Sequence, residues 1–394
     1  MRIALVSPLM EAVPPRLYGG TERVVATLAE ALTARGHHVT VFANAESRVS
    51  ADLVVCRDRS LLTDDRLTAA TADHIVMLDD VRRMADRYDV IHFHTEFLQF
   101  PVFRQMPERT LTTCHSRLDF IGLPALFRRY SGFPLVSISM AQRRALPEAN
   151  WVANIPHGYP LDRYRMLPRR PGSGDRDYLA FLGRIAPDKG IDTAIDIARK
   201  AGMKLKIAAR INSFDRPYWE EVIAPRVDGQ EVEFLGEIGD DRKSEFLSGA
   251  RAFLFPIRWP EPFGLVMIEA MACGTPVIAF PCGAVPEVVE DGLTGRIVAD
   301  VPGAVRAISD VAALDRATIR KRFEARFGAD RMAARYIDVY RDLVRAAPRT
   351  RPIRRKTIER LARTRPRLPT GPAPASPPDK AAKSPLPDAL SGSD

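Results

Sequence analysis

The sequence predicts an α/β protein of two tandem doubly wound, Rossmann-like domains that face each other across a cleft. Three observations carry this expectation. The chain has 394 residues, more than the roughly 100–200 of a typical domain, and 46% of them are apolar, enough to bury full cores. A strand–loop–helix–strand grammar opens the chain and returns at residue 178, and two separate β-α-β starts imply two mostly parallel sheets. The boundaries expected are 1–165 and 166–330 for the two domains, 331–347 for a C-terminal helix that can cross back to the first domain, and 348–394 for a disordered Pro/Arg-rich tail.

In chain order, "RIALVSP" is a continuous apolar run that suits a buried strand. Thr21 can cap a helix whose stripe is Val24, Val25, Leu28 and Leu32, Gly36 ends it, and "HVTVFA" is the next strand. "VIHFHT", "LTTCHS" and "PLVSIS" are further strands ending in polar loops. The proline-rich, charged stretch from Pro160 to Asp177 reads as the linker. Beyond it "YLAFLG" leads through a polar loop to the helix "DTAIDIARKA", a stop at Gly202 and the strand "KLKIAA". "VEFLG", "AFLFP", "PVIAF" and "GRIV" then alternate with helical stretches. After Ala313 the chain turns helical to its tail, and Met332, Tyr336, Val339 and Leu343 form a stripe that needs a surface to pack on.

Composition excludes several classes. No run of about 18 uncharged apolar residues is present, so no transmembrane helix is expected. The opening is too short and too soon followed by Glu11 and prolines to be a signal peptide, which points to the cytoplasm. Cys56, Cys114, Cys273 and Cys282 are far apart with no C-x-x-C pair, against both a disulfide framework and a zinc ribbon. The net charge of +9 misleads, because residues 349–394 hold 11 of the 58 basic residues and 4 of the 49 acidic ones, which leaves the remainder near neutral. With nine prolines that tail reads as a solvated extension, so no nucleic-acid partner is expected, and contact with acidic lipid is the weaker alternative.

Open α/β sheets bind ligands beyond the carboxyl ends of their strands. Neither first loop holds G-x-G-x-x-G, and no Walker A pattern occurs, which argues against dinucleotides and P-loop chemistry. The loop after "YLAFLG" instead offers Arg184 and Lys189 in "GRIAPDKG", a cation pair suited to a diphosphate. Two solvated charges on a turn would explain that loop if it stood alone. It stands with "EPFGLVMIEAMACGTPVIAF", where Glu261 and Glu269 bracket a Pro-Phe-Gly turn expected to start a helix with Pro262 in its first turn. Such a start attracts an anion, and acids beside it suit hydroxyl groups next to a phosphate.

These segments, with "GAVPEVVEDGLTG", "YGGTERVV", "DVIHFH", "TTCHS" and "IPHG", resemble the retaining glycosyltransferases of family 4, which use nucleotide sugars and have the GT-B fold. The resemblance covers roughly residues 1–346, and the Glu-x7-Glu element with Pro-Phe-Gly-Leu is its most specific part. It implies a metal-independent hexosyltransferase with no cofactor, a nucleotide-sugar donor held by the second domain, and an acceptor on the side of the first. Glu261 would accept bonds from donor-sugar hydroxyls and Glu269 from the ribose. The amides near Phe263, Gly264 and Leu265 would meet sugar and phosphates, while Arg184 and Lys189 would hold the diphosphate as charge grows on it. Gly19 and Gly20 would let their loop approach the sugar phosphate, and His115 matches a family histidine beside the transferred sugar. A UDP-sugar is favoured, UDP-glucose first. The acceptor, whether lipid, polysaccharide or small metabolite, is not disclosed. His157 stands where the family often has Asn and Ala284 where a second Gly is common, and Glu287 is either a further hydroxyl ligand or a surface acid.

Rival readings remain at this level. His92 and His94 share one side of a strand and, with His115 or Glu96, could make a metal site, although a hydrogen-bonded pair fits better. Asp175 and Asp177 read as a solvated turn. Phe120, Leu123, Leu126 and Phe127 with Arg117, Arg128 and Arg129 suit either a helix packed on the first domain or peripheral contact at the inner membrane face. Against the transferase stand a glycoside hydrolase using Glu261 and Glu269 as acid and base, a non-catalytic sugar-nucleotide or polyanion binder, and a sugar-nucleotide epimerase.

Overall fold

The structure is a computed structural model that describes residues 1–17, 19–64, 66, 69–168 and 177–346; the tail expected at 348–394 and Asp175 lie outside the described residues. The first sheet comprises β1 (Arg2–Val6), β2 (His38–Asn44), β3 (Asp52–Arg57), β4 (Val90–Phe93), β5 (Thr110–Thr113), β6 (Leu135–Ser137) and β7 (Trp151–Asn154). The second comprises β8 (Tyr178–Arg184), β9 (Lys204–Arg210), β10 (Val232–Phe234), β11 (Ala252–Phe255), β12 (Val277–Ala279) and β13 (Gly295–Ile297). Their orders are β3-β2-β1-β4-β5-β6-β7 and β10-β9-β8-β11-β12-β13. The pairings beside the first strand of each sheet are parallel, and the strand order reverses at β1/β4 and at β8/β11. Loops leave such a reversal in opposite directions and open a crevice at the carboxyl ends, which is where the predicted motif loops fall.

β3 and β7, absent from the sequence expectation, are the two edges of the first sheet, and their mixed burial hides them from an apolar-run criterion. The first helix spans Gly20–Ala34 and buries Val24, Val25, Leu28 and Leu32 as its stripe requires. Its cap is not Thr21: Gly19 holds the cap position with no side-chain bond, because the loop that precedes it runs straight into the helix. In the helix Leu123–Arg129, Leu123 and Phe127 enter the first core, where the Phe127 ring meets Phe100 edge-on at 5.6 Å. Only Phe120 and the fully exposed Ile121 of that apolar stretch face outward. Asp177 is exposed, as a solvated residue should be, and pairs at the surface with Arg251. No helix among the described residues is long and apolar enough to cross a membrane.

Two helices close the molecule. Arg316–Phe327 buries Ile319, Phe323 and Phe327 in the core of the second sheet. The chain then turns at Gly328, which bridges to Tyr159, and Ala329–Ala346 carries Met332, Tyr336, Ile337 and Tyr340 into the core of the first sheet beside Ile3, Leu5 and Val24. Val339 and Leu343 of the predicted stripe are only partly buried there.

Candidate functional site

The turn at Glu261 is built around two glycines. Gly264 takes a left-handed conformation, φ 80°, that few side chains tolerate, and the helix begins after it, at Leu265–Ala272. Pro262 therefore precedes the helix instead of occupying its first turn. Gly283, at φ 61°, lies so close that a Cβ there would sit 2.2 Å from the Glu261 carbonyl oxygen. The Ala284 amide donates to that carbonyl at 2.8 Å, which ties the two loops together.

Charges on this wall are paired. Glu261, 9% exposed, accepts bonds through Oε2 from Lys189 Nζ at 2.6 Å and Trp259 Nε1 at 2.9 Å. Arg184, the last residue of β8, donates to Asp215 at 2.8 Å and lies 3.6 Å from Asp188. Phe263 is buried, while Leu265 is partly exposed at the helix start, where a Cβ on Gly20 would lie 3.3 Å from its Cδ1. The structure thus brings the Gly19-Gly20 loop of the first domain against the Pro-Phe-Gly turn.

Glu269 is placed differently. It is 2% exposed, Oε1 accepts from the hydroxyls of Tyr159 at 3.0 Å and Tyr164 at 3.3 Å, and Oε2 accepts from Lys243 at 2.9 Å. Next to it Asp240 takes the Tyr164 hydroxyl at 2.8 Å and the guanidinium groups of Arg163 and the buried Arg23. Burial would raise the Asp240 carboxyl, but the surrounding Arg23, Lys243 and Arg163 hold it down at about 2. Arg163 and Tyr164 come from the stretch that sequence alone assigns to the linker, Tyr159 stands just before it, and Arg23 comes from the first helix. Sequence reasoning missed this cluster; the signal for it was Tyr and Arg in a segment otherwise read as linker.

The first-domain wall carries four imidazoles in a column. His92 bonds Tyr340 and Thr113, each at 2.8 Å, which makes it a partnered core residue. His94 Nδ1 lies 2.8 Å from His115 Nε2, the His115 ring stacks on His157 at 5.1 Å, and Phe263 meets His157 edge-on at 5.0 Å. Burial holds His92, His94 and His157 well below the usual imidazole range and pushes His115 down to about 3. His115 is the one ring of the four that is not fully buried. Glu96 accepts the backbone N–H groups of His115 and Ser116 rather than joining a ligand set, and no group of three or more metal-binding side chains occurs among the described residues.

Two further contacts span the cleft. Glu287, read from sequence as a hydroxyl ligand or a surface acid, is neither in the structure: both its oxygens accept first-domain backbone amides, Met140 at 2.7 Å and Ala141 at 2.6 Å. Arg210 at the end of β9 reaches Glu11 at 3.5 Å. The latter pair borders a cavity of about 770 Å³ lined from the first domain by Arg16, Glu46 and Ser60 and from the second by Ile211 and Glu237. Arg210 is the β9 neighbour of Arg184 in the sheet register, so the cavity begins one strand away from the cation pair.

Comparison with known proteins matches residues 18–154 to the family described as Glycosyltransferase Family 4 and residues 176–313 to that described as Glycosyl transferases group 1. The chain is 28% identical over 353 residues to the phosphatidyl-myo-inositol mannosyltransferase of Mycobacterium leprae, covering 82% of this chain and 90% of that protein. Among solved structures, the sucrose-phosphate synthase of Thermosynechococcus elongatus superposes with a TM-score of 0.70 at 23% identity, covering 88% of this chain and all of that one. The HepE protein of Anabaena, solved in complex with UDP and glucose, gives 0.66 at 18% identity, covering 86% of this chain and 99% of that one.

Proposed function

The chain is a glycosyltransferase of family 4, and from that premise we propose that it moves a hexose, with retention of configuration, from a nucleoside diphosphate sugar to an acceptor bound against the first domain. The observation that carries this reading is the Lys189–Glu261 pair at the Pro-Phe-Gly turn, with Arg184 beside it on the same loop. A diphosphate entering there exchanges one set of anionic partners for another. Arg184 and Lys189 turn to the phosphates, and Glu261, released from Lys189, accepts hydroxyls of the sugar, for which both carboxylate oxygens serve. As the glycosidic bond breaks, the two cations stabilise the charge left on the diphosphate, the term that contributes most in such sites. The acceptor attacks from the face the diphosphate leaves, and a phosphate oxygen takes its proton.

His115 stands over the sugar as a neutral ring, and the half-exposed Leu265 helix start with the Gly19-Gly20 loop covers the phosphates. The nucleoside extends toward the ends of β9 and β10. Glu269, 2% exposed and engaged by three donors, meets the ribose only if its surroundings open, so its part in binding is secondary to positioning the helix. A hydrolase leaves the Arg184–Lys189 pair without a purpose, and Glu269, buried and held by three donors, is poorly placed to exchange protons with substrate and water.

The test is thermal unfolding with EDTA against UDP-, GDP- and ADP-sugars, UDP-glucose first. Ligand at 100 times its dissociation constant adds about 2.7 kcal/mol. A shift by one nucleotide series that vanishes in Lys189→Ala supports the donor site and names its base; no shift from any member at millimolar concentration sinks it. The mycobacterial relative makes phosphatidyl-myo-inositol the first acceptor to try.

A further inference from the structure

We propose that Glu287 is a positioning residue that couples the donor-side turn to His115 across the cleft. The path is continuous. Behind Glu287, the Ala284 amide is bonded to the Glu261 carbonyl, and the Glu287 amide to the Ala284 carbonyl at 2.9 Å. Its own carbonyl accepts the Arg326 guanidinium, which also holds Val288. The carboxylate is therefore fixed relative to Glu261.

In front of Glu287, its two oxygens take the amides of Met140 and Ala141, the first residues of the turn Met140–Arg143. Those amides have no partner within a helix start, and a carboxylate is their strongest acceptor. The next residue in that turn is Gln142, 6% exposed. Its Oε1 accepts the Ile138 amide at 3.0 Å, and its Nε2 donates to the carbonyls of Cys114 at 3.0 Å and Ser116 at 2.8 Å. These carbonyls flank His115. Glu96 holds the amides of the same loop, at 2.9 and 3.0 Å, so the loop has one anchor from its own domain and one that depends on the opposite domain.

The consequence is directional. The His115 loop is fully anchored only when the second domain presents Glu287, which happens when Glu261 is also in place. A partly exposed carboxylate that touches no substrate thereby contributes to the chemical step. Displacements of about 1 Å near the reacting atoms cost on the order of 100-fold in rate.

The test has two arms, and only the kinetic one rests on the transferase reading. In the full chain, hydrogen exchange is followed for peptides covering Met140–Ala141 and Cys114–Arg117 in wild type, Glu287→Gln and Glu287→Ala. The expected result is faster exchange in both peptides, about 10-fold, with the alanine variant at least equal to the glutamine one. Exchange that rises only at Met140–Ala141, or at neither, overturns the coupling. In the second arm, nucleotide release from UDP-glucose and GDP-mannose is measured. Glu287→Gln should lower kcat about 10- to 100-fold with KM within about twofold, and the double variant with His115→Ala should be no slower than His115→Ala alone. Multiplying effects overturn the proposal. A chain that releases no nucleotide from either probe sinks the donor reading, and the exchange arm still decides the coupling.

Discussion

On the second-domain wall of the cleft, Arg184, Lys189 and Lys243 each hold a carboxylate at 2.8, 2.6 and 2.9 Å, whereas on the first-domain wall four imidazoles stack in a column that burial keeps uncharged. The difference teaches how each wall meets a polyanionic ligand. A paired cation can trade one anion for another with little net desolvation, which under the proposed function suits the charged wall to a diphosphate. The neutral wall can neither attract nor repel that charge. Under the proposed function it supplies shape, packing and hydrogen bonds to the sugar, and it would lose its neutrality only if the protein opened.

The largest expected effect tests whether pairing on the charged wall also holds the fold. Asp240→Ala strips the buried Arg23 of its partner, together with Arg163, and should cost about 3–5 kcal/mol in urea unfolding, since an uncompensated buried charge remains. A loss below about 1 kcal/mol would show that the cluster relaxes into water.

Next, Lys189→Ala leaves Glu261 without its cation and the diphosphate with one contact fewer. Transfer or nucleotide release should fall on the order of 10² to 10³, and an unchanged rate would mean the pair belongs to the fold alone.

A smaller effect reads the neutral wall through pH. The folded pKa of His157 is depressed, so between that value and about 6.5 the unfolded chain binds the extra proton, and stability is lost as pH falls below 6.5. Glu22, pushed up to about 7, and Glu96 titrate in the opposite sense and offset part of the total. The comparison of wild type with His157→Asn isolates the histidine: the variant should lose less stability on acidification, by up to about 1.4 kcal/mol per pH unit. Parallel curves would place His157 in contact with water.

The smallest effect concerns the rim of the neutral wall. Ile121→Asp, at a fully exposed position, should change stability by less than about 0.5 kcal/mol. Release of the protein from anionic liposomes by the same change would extend that wall into a membrane contact.

Strands such as "RIALV" and "YLAFLG" were legible because a continuous apolar run bounded by a polar loop has few other uses in a parallel sheet. The edge strand "DLVVCR" was not, since half of it faces water. The donor turn was legible in its residue types, yet its helix start was misplaced: Pro262 favours a first turn, and only the neighbouring Gly264 in a left-handed conformation moves the start to Leu265. The resemblance makes Glu269 a ribose ligand, while Glu287 reads as either a hydroxyl ligand or a surface acid. The partners they have in the structure include Tyr159, Tyr164 and the Met140 turn, more than a hundred residues away in sequence, and no local pattern encodes that distance.

The last described helix bears on how the protein is made. Tyr336 and Tyr340 sit in the first core with Ile3 and Val24, and Tyr340 bonds His92. Domains often fold as they leave the ribosome, N-terminal part first. Here the N-terminal sheet lacks part of its interior until some three hundred and forty residues have been synthesised, by which time the second sheet is complete. The two halves are therefore finished nearly together, and a nascent chain arrested before that helix emerges should present an open hydrophobic flank to chaperones.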